Sequence, residues 1–81
     1  MSELSRLRWL CRRGMKELDV VMTRYLEAQY EGSSQVDKDS FKSLLEMEDP
    51  DLYALLLGQE ICPDNNIQQL VKLLRTQSRS L

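Results

Sequence analysis

The sequence predicts an all-α fold, a small compact bundle of about five helices. Apolar residues recur at intervals of three and four along most of the 81 residues, which is the spacing of one face of an α-helix. Acidic residues beside proline, a common start of a helix, occur at Asp49-Pro50-Asp51 and at Pro63-Asp64-Asn65. No stretch alternates apolar and polar residues as a strand does. A chain of this length forms one domain, so we expect residues 1–81 to share a single core.

The first two helices are predicted from their apolar faces. Gly14 is the only glycine in the first thirty residues, and we expect it to end or sharply bend the first helix by adopting left-handed backbone angles. Trp9 falls opposite the apolar face of that helix. The predicted apolar faces are Leu4, Leu7, Leu10 and Cys11 in the first helix, and Leu18, Val21, Met22, Tyr25 and Leu26 in the second.

The last three helices are predicted from capping signals. Ser34 and Asp37 have the spacing of a capping box with Asp in place of Glu, so a third helix begins there. Asp49 is expected to cap a fourth helix, and Gly58 to end it. The Pro-Asp-Asn sequence at 63–65 opens the fifth. The predicted apolar faces are Phe41, Leu44 and Leu45, then Leu52, Leu55, Leu56 and Leu57, then Ile67, Leu70, Val71 and Leu74.

Charge is distributed unevenly along the chain. Residues 1–16 carry five basic residues and one acid, whereas residues 17–81 carry six basic residues and twelve acids. That polarity favours an oriented contact with another protein, and the acidic larger segment argues against a nucleic-acid-binding module. No apolar run approaches 18 residues and no apolar signal segment is present at the N-terminus, so we expect no membrane insertion and a cytoplasmic protein.

Residues suited to catalysis or metal binding are scarce. The chain has no histidine, the commonest general base, and no glycine-rich loop that binds phosphate. Cys11 and Cys62 are expected to be reduced thiols, because two distant cysteines do not make a disulfide scaffold or a zinc site. We therefore expect no enzyme activity, and no metal or cofactor held stably by this chain.

The candidate binding residues lie in one stretch around an Arg-Gly-x-x-Glu (RGxxE) pattern formed by Arg13, Gly14 and Glu17. Glycine allows another surface to approach the backbone closely, and a glutamate is favoured in the first turn of a helix. A tryptophan among arginines and opposite the apolar face is typical of an interface anchor. The predicted partner-binding residues are Trp9, Arg12, Arg13, Gly14, Met15, Glu17 and Asp19.

Each of these residues also has a purely structural interpretation. Gly14 serves equally well as a helix C-cap, and Glu17 as an ordinary first-turn acid. Arginines in a basic run are commonly solvated charges, and Trp9 is compatible with burial under a folded-back tail or another helix. Asp49, like the other acids beside proline, is better explained as a helix-start residue than as a metal ligand.

Two blocks of the sequence resemble one known family along their length. They are Trp-Leu-Cys-Arg-Arg-Gly-Met-Lys-Glu-Leu-Asp at 9–19 and Leu-Leu-Glu-Met-Glu-Asp-Pro-Asp-Leu-Tyr at 44–53. The family is that of the small flavinylation assembly factors of succinate dehydrogenase, which promote covalent attachment of FAD to the flavoprotein subunit. The resemblance extends over nearly the whole chain and is weakest at 31–38 and after Thr76.

The resemblance implies a chaperone-like protein that acts on FAD attachment in its partner. The implied partner is the flavoprotein subunit of succinate dehydrogenase, or of the related fumarate reductase, bound by a monomer of this chain. It implies further that the Arg13-Gly14-x-x-Glu17 segment docks near the flavin, with Trp9 and Arg12 extending the contact. The residues alone leave one alternative open, a helical protein-binding regulator such as an antitoxin-like module that uses the same surface.

Overall fold

Five α-helices and their short connections form the part of the chain that the computed structural model describes, which is residues 2–79, with side chains described for residues 2–76. The helices are α1 Glu3–Leu10, α2 Lys16–Ala28, α3 Gln35–Leu45, α4 Asp49–Leu57 and α5 Asn65–Arg79. Residues 2–79 contain no strand. The predicted all-α bundle is therefore confirmed. Residues 1, 80 and 81, which the predicted domain includes, lie outside the described residues.

The helices pack around one hydrophobic core. α5 contacts α2, α3 and α4, and α1 contacts α2 and α3. The buried apolar residues are Leu7, Cys11, Leu18, Val21, Met22, Tyr25, Leu26, Tyr30, Phe41, Leu44, Leu45, Leu52, Leu55, Leu70, Val71 and Leu74. Every residue of the predicted apolar faces belongs to this core or packs against it, except Leu57, which is 47% exposed. Three consecutive leucines are each turned by about 100° on a helix, so they do not all face one core.

Local capping interactions fix three helix ends where the sequence predicts them. The Ser34 hydroxyl accepts a hydrogen bond from the Asp37 N–H at 3.2 Å and caps α3. The Asp64 carboxylate accepts bonds from the N–H groups of Asn66 and Ile67 at the start of α5. Gly58 ends α4 with a φ of 79°, the left-handed conformation that glycine adopts without strain.

Two predicted helix-end roles are wrong. Gly14 does not end α1, because the helix stops at Leu10 and the Cys11 N–H closes its last turn onto the Leu7 and Arg8 carbonyls. Gly14 lies further along, in a bend, and does not have a positive φ. Asp49 does not cap α4, since it lies inside the helix and its carboxylate bonds elsewhere in the structure.

Candidate functional site

The side chain of Arg13 points into the structure and bonds to backbone and side-chain groups of this chain. Its side chain is only 11% exposed. Nη1 donates to the Met47 carbonyl at 2.9 Å, and Nη2 donates to the Leu45 carbonyl. Those carbonyls stand at and just beyond the end of α3, where a helix leaves its last acceptors without intrahelical donors. Arg13 thus ties the α1–α2 connection to the end of α3.

Asp49 fastens the same connection from the start of α4. Its Oδ1 lies 3.4 Å from Nη1 of Arg13, and its Oδ2 accepts the Gly14 N–H at 3.0 Å. A third carboxylate contact comes from α2, where Asp19 Oδ2 accepts the Arg13 N–H at 3.4 Å. We call Arg13, Gly14 and Asp49 the clamp. The clamp brings together the two sequence blocks that resemble the assembly factors, although Asp49 lies 36 positions from Arg13 and 35 positions from Gly14.

Gly14 is exposed, and the fold of this chain leaves room for a larger residue there. Its φ is not positive, so an L-residue is not strained at this position. A Cβ atom placed on Gly14 meets only one non-neighbouring heavy atom within 4 Å, Asp49 Oδ2 at 3.4 Å. The internal packing of the described residues therefore does not require glycine at this position.

Glu17 is exposed in the first turn of α2, and its side chain forms no hydrogen bond or ion pair with any other described residue. A carboxylate at this position interacts favourably with the positive end of the helix dipole. Glu17 also borders an open, mainly apolar groove of 410 Å³ between α2 and α4. The groove is lined by Lys16, Glu17, Leu18, Val20, Val21, Tyr53, Leu56 and Leu57.

Trp9 is 70% exposed on α1, and no described helix covers it. The alternative in which another helix buries this side chain is therefore wrong. Arg12 is also exposed and lies beside it, at a second and more polar groove of 760 Å³ between α1 and α2. That groove is lined by Ser5, Arg8, Trp9, Arg12, Arg13, Asp19, Thr23 and Glu27.

The structure divides the predicted binding residues into an exposed set and an internal set. The exposed set is Trp9, Arg12, Gly14 and Glu17, and we call it the docking surface. The internal set is Arg13, Met15 and Asp19, which are half-buried. Met15 packs against the core, and Arg13 and Asp19 also line the groove beside Trp9. The sequence interpretation missed Asp49 as a member of the site. Two signals were available for Asp49. Its position in an acid-proline-acid run predicts a local cap, and its place in the block at 44–53 that resembles the assembly factors assigns it no role.

The described residues contain no group of three or more His, Cys, Asp or Glu side chains able to hold a metal ion. Burial raises the pKa of the Cys11 thiol to about 11, and the nearby Arg13 charge only partly opposes that effect. This thiol is therefore protonated at neutral pH and is a poor nucleophile. Among the described helices, none has the length and apolar character needed to cross a membrane.

Comparison with known proteins identifies the family. Residues 5–78 match the family model described as the flavinator of succinate dehydrogenase. The chain belongs to this flavinator family. It is 43% identical over 75 residues to the FAD assembly factor SdhE of Shewanella oneidensis, which covers 93% of this chain and 92% of the relative. Identity to the protein of the same name in Colwellia psychrerythraea is 40% over 70 residues, which cover 86% of this chain and 77% of the relative. Identity to that of Yersinia pseudotuberculosis is 37% over 76 residues, which cover 94% of this chain and 86% of the relative.

Membership in the flavinator family confirms the resemblance drawn from the two sequence blocks. It makes this chain a flavinylation assembly factor and not an enzyme. The matched residues include the whole of the RGxxE pattern and every member of the clamp. Family membership also favours an assembly factor over the antitoxin-like regulator that the residues alone left open.

Proposed function

We propose that this flavinator binds the flavoprotein subunit of succinate dehydrogenase, or of fumarate reductase, through its docking surface. Binding holds the subunit in the arrangement in which FAD becomes covalently attached. The observation that carries this proposal is the state of Glu17, a charged side chain with no internal partner among the described residues. It stands two residues beyond a connection that the clamp holds in place.

The composition of the docking surface fits a specific protein contact. Trp9 offers a large apolar side chain that is 70% exposed, and burying such an anchor contributes strongly to affinity. Arg12 and Glu17 add charges of opposite sign, which orient a partner more than they attract it. Gly14 lies between them in sequence and allows a partner's backbone to come close. We propose that the protein acts in this way as a monomer in the cytoplasm.

The proposed contribution to attachment is alignment and not chemistry. In the reaction that the resemblance implies, a histidine nitrogen of the flavoprotein becomes bonded to the 8α-methyl carbon of the flavin. The histidine N–H bond and one methyl C–H bond break as protons leave, and the flavin ring takes up the two electrons, so negative charge develops on it as it is reduced. Holding the two groups in a reactive orientation accelerates such a step without a catalytic side chain from the assembly factor. Fixed charges near the flavin can stabilise the developing charge as well. The flavoprotein itself supplies the reacting groups.

Binding of the purified flavoprotein subunit by Gly14→Ala tests the proposed interface, with Gly32→Ala as the matched control. Neither glycine has a positive φ, and a Cβ on Gly32 meets only a carbonyl oxygen at 3.9 Å. Both variants should unfold at nearly the wild-type temperature. We expect Gly14→Ala to raise the Kd about tenfold, about 1.4 kcal/mol, because its methyl group intrudes into the contact. Wild-type affinity in Gly14→Ala would overturn the proposed role of this surface.

A further inference from the structure

We propose that Asp49 is a positioning residue for the docking surface. Its carboxylate holds the α1–α2 connection in the conformation that the flavoprotein binds, without touching the flavoprotein. This inference rests on the proposed function and adds a residue from the second sequence block to the site.

The geometry of the carboxylate supports a positioning role. One oxygen contacts the Arg13 guanidinium and the other accepts the Gly14 N–H, so a single side chain fixes both a side chain and the adjacent backbone. The connection has other restraints as well. They are the Arg13 side-chain bonds to the Leu45 and Met47 carbonyls, the Arg12 N–H bond to the Trp9 carbonyl at 3.2 Å, the Arg13 N–H bond to Asp19 and the packing of Met15 against the core. The Gly14 N–H, in contrast, is bonded by Asp49.

Asp49 forms these long-range bonds in place of a local one. A side chain of this type usually bonds backbone groups of its own turn. Here the N-cap of α4 is Glu48, whose side chain makes no capping bond, and the Asp49 carboxylate is directed at residues 35 and 36 positions away. The side chain is 24% exposed and both of its oxygens are engaged. Asp49 therefore has little surface left to offer a partner.

Loss of the Asp49 carboxylate should weaken binding because fewer molecules hold the α1–α2 connection in the conformation that binds the flavoprotein. In Asp49→Asn a single acceptor oxygen remains, which can accept the Gly14 N–H or face the Arg13 guanidinium but not both, so the connection samples other conformations. The apparent Kd rises in inverse proportion to the fraction of molecules that hold the binding conformation. If that fraction falls to one tenth, the Kd rises about tenfold. At a saturating concentration of the variant all of the flavoprotein is still bound, so the maximal flavinylation rate remains close to that of wild type.

Asp49→Asn tests this inference, with Asp51→Asn as the matched control. Both residues are acids in the first turn of α4, so both substitutions remove the same favourable interaction with the helix dipole. Asp51 is exposed and forms no side-chain bond with another described residue. We expect Asp49→Asn to raise the Kd about tenfold at an unchanged saturating rate, while Asp51→Asn changes neither. Amide hydrogen exchange at Gly14, followed by NMR, should accelerate only in Asp49→Asn.

A double-mutant cycle with Glu17→Ala separates positioning from general destabilisation. If Asp49 acts by placing Glu17, the other conformations still bind through the rest of the docking surface but without the Glu17 contact. The Asp49 substitution then costs less once Glu17 is gone, so the combined change in Kd falls short of the product of the single changes. Binding is measured where thermal unfolding curves show every variant to be folded. A combined change equal to the product would overturn the positioning role.

The outcomes also distinguish this inference from the proposed function. If Glu17→Ala weakens binding and Asp49→Asn binds like Asp51→Asn, the positioning role is overturned and the docking surface stands. If neither Glu17→Ala nor Asp49→Asn changes the Kd, the docking surface itself is wrong, and the positioning role fails with it.

Discussion

Arg13→Ala should destabilise the protein although Arg13 belongs to the same sequence pattern as the exposed Gly14 and Glu17. The substitution removes the donor from two carbonyls near the end of α3 and leaves Asp49 without its cation. Hydrogen bonds to charged groups contribute about 1.5–3 kcal/mol, and breaking a buried ion pair costs about 3–5 kcal/mol. Water reaches Asp49, which is 24% exposed, so we expect a loss near the low end of that range, about 3 kcal/mol.

Thermal unfolding followed by circular dichroism measures this loss. At about 4–8 °C per kcal/mol for a domain of this size, the midpoint should fall by roughly 12–24 °C. Arg12→Ala is the matched control, because Arg12 is the adjacent arginine and its side chain is exposed, and its effect should stay within about 0.5 kcal/mol. Arg13→Lys should lie between the two, since one ammonium does not reproduce the fork of a guanidinium. Overlapping unfolding curves for Arg13→Ala and Arg12→Ala would refute the internal role of Arg13.

Three further results are expected. Trp9→Ala and the control Ile61→Ala both truncate side chains that are at least 70% exposed, so both should keep wild-type stability. Only Trp9→Ala should weaken flavoprotein binding, by about 2 kcal/mol in a titration, and equal affinities would remove Trp9 from the interface. Cys11 should resist Ellman's reagent at pH 8 until denaturant is added, because burial raises its pKa to about 11, and prompt labelling in the folded protein would contradict this burial. A hydrogen bond from Lys42 lowers the pKa of Glu3 in the folded protein below its ordinary value of 4.5. The Glu3 carboxylate therefore stabilises the fold above pH 4.5, and this stabilisation is lost as the pH falls through the lower pKa of the folded protein. Denaturant titrations between pH 5 and pH 3 should therefore show a smaller loss of stability in Glu3→Gln than in wild type, and parallel losses would refute this assignment.

Most of the fold follows from local sequence patterns. The spacing of apolar residues predicts five helices and their buried faces, because one face of each helix meets a shared core. Three helix ends are likewise fixed by groups within a few residues of each end, at Ser34, Gly58 and Asp64, so the local sequence predicts them. The pattern failed at Leu57, where a run of three leucines gives no information about which one lies outside the core.

The clamp could not be predicted, because its contacts join residues that are distant in sequence. Asp49 has the composition and position of a helix cap, and only the packing of the α1–α2 connection against α3 and α4 gives its carboxylate other partners. Arg12 and Arg13 are chemically identical neighbours. The fold exposes the first and turns the second inward, which neither charge nor spacing reveals.

The exposed part of the site was more accessible to sequence reasoning. A tryptophan opposite an apolar face and a first-turn glutamate on the next helix both point away from the core by helical geometry alone, and both lie at the surface. The RGxxE pattern therefore combines two kinds of position in this chain. Arg13 fastens the connection from inside, whereas Gly14 and Glu17 are exposed, where we propose that the partner binds.

The central claim is that the docking surface promotes FAD attachment, and one flavinylation assay tests it directly. Purified flavoprotein subunit without covalent flavin is incubated with FAD alone, or with FAD and wild-type protein, Glu17→Ala or Glu60→Ala. Glu60→Ala is the matched control, because Glu60 is an exposed glutamate outside the docking surface with no side-chain bond to another described residue. After denaturing electrophoresis, in-gel fluorescence reports only the flavin that is covalently attached. We predict faster labelling with wild type and Glu60→Ala, and labelling close to the FAD-only level with Glu17→Ala. Equal labelling with wild type and Glu17→Ala would contradict the account.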